Sequence, residues 1–489
     1  MNKKFLYVAL AFLAIIFIIY SPGIQAPRYG DDFTIVPKGD FKYDLVKIWT
    51  STYQRSGFYR PLEDTITATF IMFFGWNTIP THILFILIHS LFAAFLYYVM
   101  IKLKYSNFSA FFGSLFMLTA QVNVTSVGGN DTLGMLLTSS LSFLSLWFLY
   151  KTMVASDIEN KGSNKLYVIS LLLITINLFC KESGVAFYSL FAVLLLLKNS
   201  FFFDRSSINI KKTVIQAIPF VIIFIIFYSI RSGIVPVKPS FGEGTYNFHL
   251  GLNIPRNIAM LLFSIFLPVS SVKTFEATEF KDYKFLAAVF IITAAFAGTV
   301  FYGIWRSKKT RAAVVLLAFI VAGFFPFALL NHVNEQYTYF SIPFAGMLVG
   351  IGIGYYFDNM IGWKRTVITV MVLIIILINS ASVMEKTNRI NQCGIRSDKI
   401  FAQLVNYLPA VEHNGYLVLV NKPNREKNYS AFKIPDFEIM RYSQFMVYKL
   451  AGREDFTMEV IEWNEQDNWK RSGVLMLRLD EEDKIIKIN

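Results

Sequence analysis

Residues 3–32 read KKFLYVALAFLAIIFIIYSPGIQAPRYGDD, and their order decides how the rest of the chain is read. Lys3 and Lys4 precede an apolar run over 5–20, and Asp31-Asp32 follow after a short polar stretch. Positive charge ahead of a span holds that end in the cytoplasm, so the acidic pair is expected outside. Two adjacent carboxylates at the outer bilayer surface are costly to desolvate and contribute nothing to spanning. Their expected use is chemistry on something presented at that surface. The run also has features of a signal peptide, with Ile24-Gln25-Ala26 as a poor cleavage site. Its bulk and the many apolar segments after it favour an uncleaved first span.

Across 489 residues, 55% are hydrophobic and 17% aromatic. With a mean hydropathy of +0.48, this excludes an ordinary soluble globule and indicates a polytopic helical membrane protein. The net charge of +13 gathers in short loops between apolar runs. The positive-inside bias accounts for it, and nucleic acid is not an expected partner. Cys180 and Cys393 are too few for a disulfide framework, and neither has metal-ligand spacing.

Twelve apolar segments follow one another: 5–20, 80–101, 108–124, 133–150, 166–180, 183–198, 213–230, 256–272, 285–305, 312–331, 338–357 and 366–384. If all crossed, the basic tract Arg306–Arg311 would lie outside, against the charge rule. The segment 256–272, flanked by Arg256 and Lys273 and interrupted by Pro268, is the best candidate for a re-entrant or interfacial piece. The expected fold is therefore an all-α polytopic membrane protein of about eleven transmembrane helices plus that segment. Twelve spans with the carboxyl terminus inside is the alternative.

Residues 166–198 are too long for one crossing and short for two, so a tight turn at Cys180-Lys181-Glu182-Ser183 is expected near the outer surface. In the first outer loop, 22–79, residues 40–53 put Phe41, Leu45, Ile48 and Trp49 on one helical face, and 64–76 form a second helix. From 385 to 489 the pattern turns charged and water-soluble, with a helix over 396–410 and strands over 415–420 and 473–479. This reads as a small outside α/β domain beyond a membrane domain of residues 1–384.

Candidate chemistry gathers in the outer loops. One of Asp31 and Asp32 can take a proton from an acceptor hydroxyl while the other orients it; a loop turn or cap at Gly30 is the plainer reading. Arg60, in Tyr59-Arg60-Pro61-Leu62, suits bidentate phosphate binding, and snorkelling is the alternative. His82 and His89 share a face of the second span, where bonds to neighbouring helices are expected before catalysis. Asp131 in the Gly128-Gly129-Asn130-Asp131 loop has helix capping as its alternative. Lys181-Glu182 carries charge at membrane depth, with a mutual ion pair as the competing use. His332 and Glu335 lie in Asn331–Tyr337, and Arg231, Lys238, Arg256 and Lys273 supply positive charge for a lipid phosphate or ordinary headgroups.

In order and spacing these elements resemble the GT-C superfamily of integral-membrane glycosyltransferases, which use polyprenyl- or dolichyl-phosphate sugars. The series is similar to the tetratricopeptide-bearing O-mannosyltransferase branch over residues 1–384: Asp31-Asp32, residues 59–62, His82 to His89, 128–131, 180–182 and Glu335-Gln336-Tyr337. It departs from that branch at 121–126, which read Gln-Val-Asn-Val-Thr-Ser in place of His-Pro-x-His-x-Glu, and in lacking a 34-residue helical repeat. The layout with a short outside tail also resembles serotype-converting glucosyltransferases of bacteria and phages.

The resemblance implies an inverting hexosyltransferase in the inner (cytoplasmic) membrane, amino terminus inside and carboxyl terminus outside. Its partners would be a polyprenyl-phosphate sugar, a glycan acceptor such as O-antigen, and membrane lipid. Asp31 would be the base. Arg60, Lys181 and Arg256 would hold the donor phosphate, and Asp131, Glu182, His332 and Glu335 the substrates. No cofactor is required, and a divalent metal at the aspartates stays open. A protein O-mannosyltransferase and a flippase for lipid-linked glycans are the alternatives.

Overall fold

The computed structural model describes residues 3–35, 44–52, 58–156, 163–201, 210–235, 248–420, 455–461, 463–470, 472–480 and 482–488. Phe41, Lys238 and parts of the basic loops 151–165 and 198–212 lie outside the described residues.

The first apolar run forms α1 (Lys3–Tyr20). The loop after it holds α2 (Leu45–Thr50), capped by Asp44 through a 3.0 Å bond from Lys47 N, and α3 (Pro61–Phe74), with proline at its first position. Then come α4 (Ile79–Lys102), α5 (Asn107–Thr119), α6 (Val124–Gly128) and α7 (Leu133–Ser156). The chain continues through α8 (Ser163–Cys180), α9 (Ala186–Phe201), α10 (Ile210–Ile234), α11 (Asn253–Phe266) and α12 (Ser271–Glu279). The last four helices are α13 (Tyr283–Arg306), α14 (Thr310–Ala328), α15 (Ile342–Asn359) and α16 (Trp363–Leu404).

Among the described residues, seven helices are long and apolar enough to cross a membrane, or eight if α5 and the segment Gln121–Gly128, bent by 45°, form one span. The sequence led to eleven. The difference arises where helices are short or packed among others: α8 and α9 turn at Cys180–Val185 as expected, and α15 is diluted by Gly346, Gly350, Gly352 and Gly354. A helix enclosed by other helices does not need apolar side chains all round. The 14 residues of α11 rise only about 21 Å, short of a hydrocarbon layer of about 30 Å. The chain is extended at Leu267, before Pro268, and turns into α12.

The glycines of α15 have a packing reason. A Cβ on Gly346 would lie 2.6 Å from the carbonyl oxygen of Gly113 in α5, and one on Gly350 would meet the Ser109 carbonyl. Backbones in contact replace the hydrophobic effect that lipid cannot supply between helices.

The charged tail is joined to this bundle without a break. α16 runs 42 residues, about 63 Å, straight through the expected boundary at 384/385. The helix expected over 396–410 is its end followed by a 3₁₀ turn, Val405–Ala410. The strands expected at 415–420 and 473–479 are present as β1 (Tyr416–Val420) and β3 (Val474–Leu479), joined by β2 (Thr457–Ile461) and β4 (Ile485–Lys487). The sheet order is β2-β1-β3-β4, parallel except at β4. Period-two alternation sends Leu417, Leu419, Met458, Leu475 and Leu477 onto Ile400, Phe401 and Leu404 of α16.

Gly346→Val is expected to lower stability by roughly 1–3 kcal/mol through overpacking against α5; thermal unfolding of the purified protein in detergent checks it, and an unchanged midpoint refutes the close-packing account.

Candidate active site

The acidic pair sits in a 3₁₀ turn, Gly30–Ile35. Gly30 is left-handed, with φ 55°, a conformation that costs glycine little. The turn leaves Asp31 exposed and Asp32 buried. Asp32 Oδ2 accepts a hydrogen bond from Asn130 Nδ2 at 2.9 Å and one from the backbone N–H of Tyr29 at 3.3 Å. The loops 22–79 and 128–131 therefore meet at this carboxylate. Burial, and then the like charge of Asp131, push the Asp32 pKa up to about 7 against the pull of Asn130, Tyr29 and Arg28. Arg28 is itself buried beside it, which lowers its pKa to about 10. Its guanidinium lies over Trp76 at 5.3 Å, and Nη1 donates to the Trp76 carbonyl at 3.3 Å.

Arg60 is held by carboxylates. Its Nε donates to Glu182 Oε2 at 2.7 Å and its Nη1 lies 3.5 Å from Glu63 Oε2, while its guanidinium covers Phe58 at 4.4 Å. Glu182 Oε1 also accepts the backbone N–H of Tyr59 at 3.0 Å. Burial pushes the Glu182 carboxyl up, but the Arg60 pair more than offsets it and leaves the pKa below its ordinary value. Glu182 thus ties the turn between α8 and α9 to the head of α3. Glu63 continues the chain of contacts by accepting the N–H of Gly134, the second residue of α7, at 2.9 Å.

A third knot centres on Glu335. Both of its carboxylate oxygens face Lys386 Nζ, at 2.6 and 2.9 Å, and Oε2 accepts from Thr125 at 3.2 Å. Ser271 donates to Glu335 Oε1, and Lys386 also reaches the Gln121 side chain. Glu335 and Lys386 are both buried. Five segments are joined here: the stretch Gln121–Gly128, the head of α12, the 3₁₀ turn Glu335–Phe340, and α16, with Gln121 bonded on to Ser264 of α11 at 3.2 Å.

The remaining expected residues fall elsewhere. Asp131 is half-buried next to Asn130. Lys181 is half-buried between α8 and the Glu182 turn. Arg256 is exposed on α11 and donates to Asn257 Oδ1 at 3.3 Å. His332 Nε2 pairs with the Tyr337 hydroxyl at 2.7 Å. His82 and His89 bond to neighbouring segments, His82 to the Ala26 carbonyl at 3.2 Å and His89 to the Tyr339 hydroxyl at 2.6 Å. Lys386, Gln121 and Arg28 were not singled out from the sequence. Lys386 lies in a charged stretch just past an apolar run, where a solvated side chain is the default, and only the fold shows it turned inward. Among the described residues no group of three or more His, Cys, Asp or Glu is arranged to hold a metal ion.

Removing one partner of a buried pair strands the other charge. Lys386→Met and Glu335→Gln are each expected to cost about 3–5 kcal/mol, and the double variant less than their sum. Unfolding in detergent measures the cycle, and strict additivity would dissolve the pair.

No protein-family model matches the chain, and no curated protein does. Solved structures do. ArnT from Cupriavidus metallidurans bound to undecaprenyl phosphate aligns over 97% of this chain and 93% of its own, at 11% identity and TM-score 0.52. Its apo state aligns over 98% and 94%, at 10% identity and TM-score 0.55. The oligosaccharyltransferase AglB from Archaeoglobus fulgidus, in complex with an inhibitory peptide and a dolichol-phosphate, aligns over 93% of this chain and 64% of its own, at 11% identity and TM-score 0.52. From the first apolar run to the carboxyl-terminal sheet, the chain shares the fold of ArnT and AglB.

Proposed function

We propose that this protein is an inverting glycosyltransferase that moves a hexose from polyprenyl phosphate to a surface glycan such as O-antigen, at the outer face of the cytoplasmic membrane. The observation that carries the reading is the junction of the two outer loops at Asp32 and Asn130, which presents Asp31 at the surface of a fold similar to proteins captured with undecaprenyl phosphate and dolichol-phosphate.

Asp31, exposed at the turn, takes the proton of an acceptor hydroxyl. The acceptor oxygen bonds to the anomeric carbon, and the carbon–oxygen bond to the phosphate breaks on the opposite face. The electron pair leaves with polyprenyl phosphate, which needs no protein acid to depart. Lys181 and Arg256 meet the phosphate charge, while Asp131 and His332 take the sugar or acceptor hydroxyls. Arg60, occupied by Glu182, sets the loop rather than gripping the donor, and Glu335 does the same through Lys386. Asp32, buried and bonded to Asn130, orients its neighbour.

Asp31→Asn is expected to abolish transfer of labelled hexose from undecaprenyl phosphate at normal protein abundance. Deleting the protein should shift the surface-glycan mass by one hexose, and unchanged transfer by Asp31→Asn would remove it as base. An Asp31→Cys variant in a background lacking Cys180 and Cys393 should react with a membrane-impermeant maleimide in spheroplasts; protection from that reagent would place the residue in the cytosol and end the reading.

The raised Asp32 pKa has a signed consequence. Between the ordinary carboxylate value of about 4 and about 7, the folded chain holds a proton that the unfolded chain has released. The Asp32 contribution to stability therefore falls as pH rises through that window. Wild type should lose more of its melting temperature between pH 5 and 8, about the range flanking that value, than Asp32→Asn does; parallel curves would contradict the assignment.

A further inference from the structure

We propose that the outer half of α16 is a template on which the catalytic loop is set, and that Phe33 is the positioning residue that locks Asp31 and Asp32 to it. The proposal rests on the reading of Asp31 as the base.

The segment between α1 and the acidic pair is anchored in two separate cores. Ala26 is fully buried in the membrane bundle, and its carbonyl accepts from Thr78 Oγ1 at 2.9 Å and faces His82 Nε2 at 3.2 Å. Phe33, the residue after Asp32, is fully buried as well, but in the core of the carboxyl-terminal sheet. Its ring meets Phe401 edge-on at 5.2 Å. The two carboxylates therefore sit on a short strap whose ends belong to different bodies. Where Asp31 points is set by how those bodies are held relative to each other.

One face of α16 does the holding. Thr387, Ile390, Gly394, Ser397 and Phe401 recur at alternating steps of three and four, which aligns them on a single stripe, and all are buried. A Cβ on Gly23 would lie 3.0 Å from Thr387 Cβ, and one on Gly128 3.1 Å from Ile390 Cδ1. Gly394 leaves room for Pro27: a Cβ there would lie 2.7 Å from the Pro27 Cδ and 2.8 Å from its nitrogen. Asp398, beside the stripe, acts electrostatically on Arg28. The loop thus meets the helix at Gly23, Pro27, Arg28 and Phe33, and the 128–131 loop meets it at Gly128. Displacing the loop by an ångström is enough to misplace a base by a catalytically decisive amount.

The test uses the full chain in lipid nanodiscs, with Phe33→Ala, Phe33→Leu, Gly394→Ala and, as a control buried on the opposite face of the same sheet, Met476→Ala. Two readouts are taken: hydrogen exchange of the peptide covering 27–35, and steady-state transfer from undecaprenyl-phosphate hexose. Phe33→Ala and Gly394→Ala should speed exchange in that peptide and lower kcat about a hundredfold, with the donor KM unchanged. Phe33→Leu should restore most of both, and Met476→Ala should keep wild-type exchange there and wild-type kcat. Exchange and kcat no different from Met476→Ala would overturn the proposal, and Gly394→Ala judges it if Phe33→Ala does not fold. Asp31→Asn, run alongside, separates the two claims: if it stays active the base assignment falls, while the exchange data still decide whether α16 sets the loop.

Discussion

The structure depends on satisfying polar groups that the segment 121–134 carries into a buried position. In a medium that cannot solvate them, a buried donor or acceptor without a protein partner is costly, so the 45° bend between α5 and Gln121–Gly128 depends on the bonds the segment makes. The partners come from every part of the chain that reaches this end of the bundle. Gln121 is met by Lys386, Ser271 and Asn379, Thr125 by Glu335, Asn130 by Asp32, and the N–H of Gly134 by Glu63. A single short loop thereby fixes the relative positions of α3, α12, α16 and the acidic turn.

Charge follows the same rule. Arg60 with Glu182, and Lys386 with Glu335, are pairs between residues far apart in sequence, and each pair is buried on at least one side. Such pairs contribute little net stability over an apolar packing, because desolvation consumes most of the Coulombic gain. What they supply is register: a turn or helix end that slips leaves a charge alone in a poor solvent. Asp31 is different in kind. It is exposed while its neighbour Asp32 is enclosed, so the two adjacent carboxylates stand in opposite environments.

The carboxyl-terminal region is bound into this scheme. Arg396 grips Asp483 through two 2.8 Å bonds, and Gln403 bonds to the Asp483 carbonyl and the Ile485 N–H at 2.8 and 2.9 Å. The sheet is thus clamped to α16, and α16 to the segments around Gly23 and 121–128. α16 itself runs unbroken across 384/385, where the composition changes.

Much of this was legible beforehand. The apolar runs, the turn at Cys180–Val185, the short α11 and the strands β1 and β3 follow from hydrophobic period and length, which act locally. The acidic pair, Arg60, Glu182 and Glu335 stood out because charge near a bilayer is costly wherever it sits. What the sequence could not assign were partners. Glu182 lies beside Lys181 yet binds Arg60, and Lys386 lies in a hydrophilic stretch yet is buried, because the partner of a charge is chosen by which segments converge. Phe33 reads as one more phenylalanine in a chain with 49, and only the packing of α16 against the sheet makes it an anchor. Local physics determined the spans and the chemical groups available; the tertiary structure decided which of them meet, since burial in a low-dielectric interior is a property of position in space and not of position in the chain.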